Sequence, residues 1–326
     1  MRQQWILFGL LAVLLGGTVA AALHLYFSGR DGGSAASTVE VILKSADVRA
    51  AYWQSVSAGA KAAAKDLGLH LEVEGPLTET DSAGQLRLLE QAVARKPKAI
   101  LIAPVDERQL EPWIPRIEQA GIRLLVMDAP IEGVPPGSLI TNHHEEDGRK
   151  SGHALADAVR RPPVTAVISD SRLSAVTGLR ERGVNEALAG YGGRLLGTYY
   201  HGGSEEQAYK ITKGLLADAP ELNGIIALNE AATLGAAKAL RENSRTSPVT
   251  LIGFDSSVYE IQLLEAGIVH ALVVHKPFNM GYMAVQAAVR PAFGRKSDPP
   301  LLIESTLVTQ DTMYTPENQK LLFPFN

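Results

Sequence analysis

The chain has 326 residues, a formal net charge of −4 and no cysteine. The absence of cysteine excludes disulfides, thiolate metal sites and a lipid anchor on an N-terminal cysteine. A slightly acidic balance without a basic patch argues against a nucleic-acid partner.

A long apolar segment lies near the N-terminus. Residues 5–27 contain no residue of fixed charge and are numerous enough to cross about 30 Å of hydrocarbon as a helix. A signal peptide cleaved after Ala20 or Ala21 is the alternative, but the apolar core of a signal peptide is shorter than this run. We therefore predict that residues 5–27 anchor the protein in the cytoplasmic membrane. The Gly- and Ser-rich residues 28–37 then form a flexible linker.

From residue 38 onward, short apolar runs alternate with segments of helical spacing. The predicted strands are 38–44, 69–75, 99–104, 122–127, 138–141, 164–169, 194–200, 224–228, 249–254, 270–274 and 301–308. The predicted helices are 50–67, 82–95, 110–119, 145–159, 173–189, 205–217, the segment after Asn229, 258–266 and 278–293. Such alternation builds parallel sheets covered by helices, and its length exceeds a typical single core. We therefore predict an α/β fold of two Rossmann-like lobes with a cleft between them.

Several predicted strands stop at a polar residue, notably near Asp106 and at Asp128, Asn229 and Asp255. In open parallel sheets, ligands bind beyond the carboxyl ends of the strands. We therefore expect Asn229 and Asp255 to lie in one crevice, and such strand ends to meet around a small polar molecule. Carboxylates accept hydrogen bonds from hydroxyls, and an amide both donates and accepts. The alternative role of either Asp128 or Asp255 is a helix N-cap.

Three further residues belong to this candidate site. Tyr52 and Trp53 lie where the first loop enters the first helix, and an aromatic face there suits the C–H groups of a sugar ring. Ordinary helix packing is the alternative for both. Arg180 supplies a planar fork of hydrogen-bond donors.

Two polar clusters have simpler interpretations. His143 to Asp147 contains side chains that bind divalent metals, but acidic residues also favour the first turn of a helix, which is the interpretation we prefer. Tyr199 to His201 precede two glycines and indicate a strand end and a turn, with a contribution to the rim of the cleft as the alternative. The nucleophile elbow, P-loop, zinc-protease and dinucleotide motifs are all missing, so we predict neither an enzyme nor a cofactor or metal.

Residues 39 to 310 resemble the type 1 periplasmic sugar-binding proteins, a ribose-binding-protein-like family that shares its core with the ligand domains of the LacI/GalR repressors. The blocks that carry the resemblance are YWQSVSAGAKAAAKDLG (52–68), KPKAILIAPVD (96–106), AGIRLLVMDAP (120–130), RERGVNEAL (180–188), ALNEAATLGAAKAL (227–240), LIGFDSS (251–257) and GIVHALVVHKPFNMGYMAV (267–285). The resemblance implies two lobes joined by a multi-strand hinge. Residues 38–142 and 276–305 would form lobe 1, and residues 143–275 and 306–326 would form lobe 2.

The resemblance also implies roles for single residues. Trp53 resembles the aromatic sugar platform of the family, and Asp128 resembles its first-lobe hydroxyl acceptor. Arg180 matches the arginine of the R-x-x-G-F pattern, here R-E-R-G-V. Asn229 and Asp255 match the two polar ligands of the second lobe.

A histidine stands at the lobe crossover of this chain. His275 falls where many relatives have glutamine. Because histidine titrates near neutrality, we expect it to make binding depend on pH between about 5 and 7. Ala129 replaces an arginine of ribose binders, and Ala50 and Ala51 replace a polar residue and a proline. These departures argue against a ribose pocket.

The function that the resemblance implies is capture of a small carbohydrate outside the cytoplasm and delivery to an ABC permease. A membrane-tethered sensor that signals to a histidine kinase remains an open alternative. A repressor would carry a helix-turn-helix domain where this chain has its apolar segment. An enzyme would need a nucleophile and base, which the motifs do not show.

Overall fold

The computed structural model describes residues 38–159, 161–242, 248–290 and 298–323. The predicted membrane segment 5–27 and linker 28–37 lie outside these ranges. Within them, no helix combines the length and the apolar composition needed to cross a membrane.

A sheet of six parallel strands forms the first lobe. Its strands are β1 (Thr38–Ile42), β2 (His70–Glu74), β3 (Ala99–Ile102), β4 (Arg123–Met127), β5 (Leu139–Asn142) and β11 (Leu301–Ile303). Their spatial order is β11–β5–β4–β3–β1–β2. The inner strand β3 is buried along its whole length, as expected for a parallel sheet covered on both faces.

A second six-stranded sheet forms the other lobe. Its strands are β6 (Val164–Ser169), β7 (Arg194–Tyr200), β8 (Gly224–Ala227), β9 (Thr250–Phe254), β10 (Ala271–Val274) and β12 (Thr306–Thr309). Their order is β12–β10–β9–β8–β6–β7, and β12 alone in this order runs antiparallel to its neighbour β10.

Helices cover both faces of each sheet. They are α1 (Ala51–Leu67), α2 (Ser82–Arg95), α3 (Glu107–Leu110), α4 (Ile114–Gln119), α5 (His144–Ala158), α6 (Ala175–Gly190), α7 (Glu205–Asp218), α8 (Glu230–Arg241), α9 (Val258–Glu265), α10 (Pro277–Val289) and α11 (Pro316–Leu322). Side chains of β1 alternate between two apolar cores: Val41 packs with α1 and α10, and Ile42 packs with α2. The two-lobe α/β prediction is therefore confirmed.

Three element predictions need correction. The helix expected over 110–119 is divided into α3, a 3₁₀ turn over 111–113 and α4, because Pro112 and Pro115 lack the N–H that a continuous helix requires. The single strand expected over 301–308 is two strands, because β11 pairs in the first sheet and β12 in the second. The C-terminal tail contains α11, which we did not predict.

The chain passes between the two sheets three times. It crosses from β5 into α5, from β10 into α10, and from β11 to β12. Carboxyl ends of strands from both sheets therefore meet at one cleft beside these crossings.

Close packing of α5 against α6 positions the second-lobe side of this cleft. A Cβ atom on Gly183 of α6 would lie 1.9 Å from the main-chain oxygen of Glu145 in α5. One on Gly148 of α5 would lie 2.0 Å from the main-chain oxygen of Arg180. Only glycine at these two positions therefore permits α5 and α6 to approach so closely, and this approach positions Arg180 against the second sheet.

Candidate functional site

The two candidate aspartates occupy equivalent positions at strand ends. Asp128 follows β4 with φ +70°, and Asp255 follows β9 with φ +79°. This left-handed conformation costs most residues about 1–2 kcal/mol, although aspartate tolerates it better than most. The N-cap alternative is wrong for both, because no helix begins directly after Asp128 and α9 is capped by Ser257. Both aspartates therefore share a left-handed backbone at the carboxyl end of a strand.

Asp128 lies between two basic side chains. Lys44 Nζ is 2.6 Å from its Oδ2, and His144 Nε2 lies 3.1 Å from its Oδ1 and 3.0 Å from its main-chain oxygen. Burial alone would raise the pKa of Asp128, but the charge of Lys44 and the hydrogen bond from His144 hold it well below its usual range. Asp128 is therefore ionised and its two oxygens are fixed in direction.

Lys44 is a further candidate site residue, which the sequence analysis did not identify. It lies two residues after β1, at the same edge of the sheet as Asp128. Burial lowers its pKa, but Asp128 raises it by more, so Lys44 remains a cation. A polar residue at the end of an apolar strand was the signal used for the aspartates, and it would have identified Lys44 as well.

The aromatic pair at the start of α1 lies against this ion pair. The rings of Tyr52 and Trp53 meet edge to face at 4.9 Å, and Lys44 Nζ is 5.8 Å from the centroid of Trp53. The hydroxyl of Tyr52 accepts a bond from Asn142 Nδ2 at 3.3 Å and donates to Met280 Sδ at 3.6 Å. Trp53 is only 3% exposed. Most of its side chain is therefore packed in the core of the first lobe, as the alternative interpretation expected.

Arg180 lies in α6 beyond the ends of β8 and β9. Its Nη1 donates to the main-chain oxygen of Leu228 at 2.6 Å, and its guanidinium carbon is 4.6 Å from the centroid of Phe254. Its Nε is buried and has no hydrogen-bond partner within the described residues. A buried donor without a partner costs about 1–3 kcal/mol. An acceptor brought by a ligand would remove this cost.

Asn229 caps α8 and is oriented by a histidine. Its Oδ1 accepts from the backbone N–H of Ala232 at 2.9 Å and faces His201 Nε2 at 3.2 Å. Burial lowers the pKa of His201, so a neutral ring donates from Nε2. The sequence placed His201 in a turn after a strand, and the structure adds this contact to the second-lobe side of the site.

His275 lies at the second crossing between the lobes and contacts two carboxylates. Its Nδ1 lies 3.1 Å from Asp255 Oδ1, and its Nε2 lies 3.1 Å from Asp147 Oδ2. A neutral imidazole carries one N–H, so two carboxylate partners favour the doubly protonated ring. Burial and Arg180 lower the pKa of His275, but the bonds to the two carboxylates outweigh them and raise it. Ser305, from the third crossing, donates to Asp147 Oδ1.

The His143 to Asp147 cluster divides into an outer and an inner part. Glu145 and Glu146 pair with Arg149 at the start of α5, which is the helix interpretation we preferred. Asp147 is fully buried and turns inward. No group of three or more metal-binding side chains occurs in the part of the chain that the structure describes.

The lobes touch at the mouth of the cleft. Glu107 Oε1, at the start of α3 in the first lobe, accepts from the backbone N–H of Ala175 in the second at 3.2 Å. A cavity of about 40 Å³ beside this contact is lined by Lys44 and Glu79 from one lobe and Asp170 from the other. Asp106 serves as the N-cap of α3. The two lobes are therefore in direct contact at this point.

The structure thus brings together Tyr52, Trp53, Asp128, Arg180, Asp255 and His275 from both lobes. The pKa of Tyr52 is raised well above its usual value by burial and then by the charges of Asp128 and Asp255, with Arg180 opposing them. These groups therefore lie within electrostatic reach of one hydroxyl. Fixed carboxylates and a guanidinium suit a neutral ligand with many hydroxyls, because a hydroxyl can donate to a carboxylate and accept from the guanidinium.

Comparisons with known proteins identify the family of this chain. A family model described as periplasmic binding protein domain matches residues 39–296. The D-ribose/D-allose-binding protein of Pseudomonas aeruginosa is 24% identical over 255 residues, which cover 75% of this chain and 79% of that protein. The D-allose-binding periplasmic protein of Escherichia coli is 24% identical over 291 residues, which cover 85% and 93%.

A solved structure shows the same fold. The carbohydrate transporter solute-binding protein of Agrobacterium radiobacter, in complex with D-arabinose, is 27% identical to this chain. The superposition has a TM-score of 0.79 and covers 89% of this chain and 99% of that one.

Proposed function

This chain belongs to the periplasmic binding protein family, and we propose that it captures a small carbohydrate between its two lobes by hinge closure and delivers it to an ABC transporter. In this proposal, residues 38–142 and 276–305 form one lobe, and residues 143–275 and 306–326 form the other. The proposed binding site consists of Tyr52, Trp53, Asp128, Arg180, Asn229, Asp255 and His275, to which we add Lys44 because it contacts Asp128. The protein itself performs no chemistry on the ligand.

The observation that carries the proposal is the state of Arg180. A buried guanidinium with an unpartnered Nε, in the same cleft as Asp128 and Asp255, is stabilised when a hydroxyl oxygen accepts from it. The same hydroxyl can donate to a carboxylate, so one polyol can form hydrogen bonds with the guanidinium and with a carboxylate at the same time.

The names of the relatives support a carbohydrate. Two bind D-allose or D-ribose by name, and the solved neighbour holds D-arabinose. Ala129 stands beside Asp128 without a charge, so this pocket recognises fewer hydroxyls on that side than a site with arginine would. We therefore expect a ligand other than ribose.

The location is part of the proposal. Relatives named as periplasmic proteins support a position outside the cytoplasm, and residues 5–27 have the composition of a membrane anchor. Tethering is also what a sugar sensor paired with a histidine kinase would need. Neighbouring genes for a permease and ATPase would favour transport, and genes for a kinase and response regulator would favour sensing.

A thermal-shift screen tests the carbohydrate proposal. The purified protein would be heated with pentoses, hexoses and polyols in separate samples. A ligand at about 100 times its dissociation constant stabilises the folded state by about 2.7 kcal/mol. We expect at least one monosaccharide to do so in the native protein and not in Asp255→Asn. A screen in which no carbohydrate raises the melting temperature would refute the proposal.

A further inference from the structure

A large cavity adjoins the candidate sugar site. Its volume is about 600 Å³, and its wall includes Tyr52, Asp255 and His275. These three residues also belong to the proposed sugar site, so the cavity adjoins that site. Asp128, Arg180 and Asn229 do not line the cavity. The main hydrogen-bonding groups for a sugar therefore lie outside this space.

The size of the cavity exceeds what a sugar held at those groups would need. Pockets of about 300–1,000 Å³ hold ligands of several rings. A monosaccharide bonded to Asp128, Arg180 and Asn229 would leave the cavity unfilled. A ligand that uses both spaces must extend past Asp255 and His275.

The chemistry of the cavity wall differs from that of the sugar site. Pro277 and Phe278, at the start of α10, line its first-lobe side, and Val258 and Leu321 line its second-lobe side. Val258 is 68% exposed, and the ring of Phe278 is stacked on Tyr282 at 6.2 Å. Covering apolar surface of this kind is favourable by about 25 cal/mol per Å².

Charged residues at this cavity do not select for a charged ligand. Glu230, Asp255 and Glu317 are matched by Lys276, Lys320 and the imidazolium of His275. With both signs present in equal number, the apolar wall determines what fills the space.

We propose that the ligand is a glycoside with an apolar aglycone. Its sugar binds between Asp128, Arg180 and Asn229, and its aglycone lies between Phe278 and Val258. This inference rests on the proposed carbohydrate function and narrows its substrate class. Because Phe278 and Val258 belong to different lobes, the aglycone contacts apolar side chains of both lobes.

Matched glycosides test the inference by isothermal titration of the purified protein. The probes are the methyl and phenyl glycosides of D-glucose, D-galactose, D-xylose and L-arabinose in both anomers, together with the free sugars. Burying a phenyl ring is worth about as much as burying a phenylalanine side chain. We therefore expect the phenyl glycoside of the preferred sugar to bind about tenfold or more tightly than its methyl glycoside.

Variants locate the aglycone. Phe278→Ala should remove most of the difference between the phenyl and methyl glycosides and leave the affinity for the free sugar unchanged. Val258→Ser should act in the same direction, and because Val258 is 68% exposed, this substitution removes little packing. Val48→Ser is the matched control, because Val48 is 84% exposed and does not line the cavity.

The outcomes separate this inference from the proposed function. A free monosaccharide that binds, with phenyl and methyl glycosides binding equally, would overturn the glycoside inference and leave sugar binding intact. A stoichiometry of two phenyl glycosides per chain would overturn it too, because the cavity would then be an independent site. Failure of every free sugar and glycoside to bind would overturn both.

Discussion

Asp128 and Asp255 are held in the same way although they belong to different lobes. Each has a left-handed backbone, and each contacts a histidine at a crossing between the lobes, His144 or His275. These contacts fix the carboxylates before a ligand arrives. Preorganised groups bind more tightly because less conformational entropy is lost on association.

The first residue-scale prediction concerns Arg180 and Asp255. Arg180→Ala and Asp255→Ala should each weaken sugar binding by about 2–4 kcal/mol, because hydroxyls of the ligand lose charged hydrogen bonds. Isothermal titration measures the loss, and circular dichroism checks that each variant folds. Asp255→Asn is the matched control, because it removes the charge while asparagine, like aspartate, tolerates the positive φ of this position. Unchanged affinity in both alanine variants would remove these residues from the site.

The second residue-scale prediction concerns the proton on His275. Its raised pKa means that the imidazolium bridge between Asp147 and Asp255 is complete below about pH 6.5 and is lost as pH rises through the folded-state pKa. The sequence predicted a window of pH 5 to 7, and the two carboxylates move it upward. Sugar affinity should therefore fall as pH rises above this pKa, because Asp255 loses its partner.

Nuclear magnetic resonance titration of the His275 ring measures this pKa directly. Asp147→Asn should lower it, because one of the two carboxylates becomes neutral. His275→Gln should make affinity independent of pH over the same range, and exposed His270→Gln should leave the profile unchanged. A His275 pKa at or below 6.5 would contradict the bridge.

At the scale of elements, the contact between α5 and α6 determines the position of Arg180. Gly183 allows the two helices to approach, and the same helix carries Arg180 one turn earlier. Overpacking at such a contact typically costs about 1–3 kcal/mol. The position of the guanidinium therefore depends on a residue that touches no ligand.

A pair of glycine substitutions in α6 tests this dependence. Gly183→Ala should lower the free energy of unfolding by about 1–3 kcal/mol and weaken sugar binding, because its Cβ meets the backbone of α5. Gly178→Ala is the control, since nothing lies within 4 Å of its Cβ. That variant should be neutral or more stable by up to about 1 kcal/mol. Urea denaturation that ranks the two variants in the opposite order would contradict the packing argument.

At the scale of the whole molecule, a hydrogen bond between Glu107 and Ala175 joins the two lobes. Glu107→Ala should weaken sugar binding by about 1 kcal/mol, or roughly fivefold, because the closed state loses this bond. Glu107→Gln keeps an acceptor oxygen and should bind nearly as the native protein does. Titration calorimetry and small-angle X-ray scattering with and without sugar measure the affinity and the closure. Equal behaviour of the alanine and native proteins would show that the bond has no role in closure.

The N-terminus gives a second prediction at this scale. We expect the mature protein to remain in the membrane fraction through residues 5–27, with residues 28–37 as a linker of about 16–19 Å r.m.s. reach. That reach raises the effective concentration for a membrane partner. Cell fractionation and N-terminal sequencing are the measurements. A soluble chain that begins near Ala21 or Ala22 would show a cleaved signal peptide.

The sequence by itself determined the order and type of most elements. Its apolar periodicity is a local property, and β6, β7 and α2 have the predicted bounds. Strand-end polarity also identified Asp128, Asn229 and Asp255, because parallel strands bring their carboxyl ends to one edge.

Only the tertiary structure decided which partners those side chains have. Lys44 and Asp128 are 84 positions apart, and His275 and Asp147 are 128 apart. Local patterns contain no information about such pairs, because they form only when two sheets and three crossings are assembled. The same reason explains the division of residues 301–308 between two sheets: both halves favour strands locally, and the sheet that each half joins depends on its distant neighbour, β5 or β10.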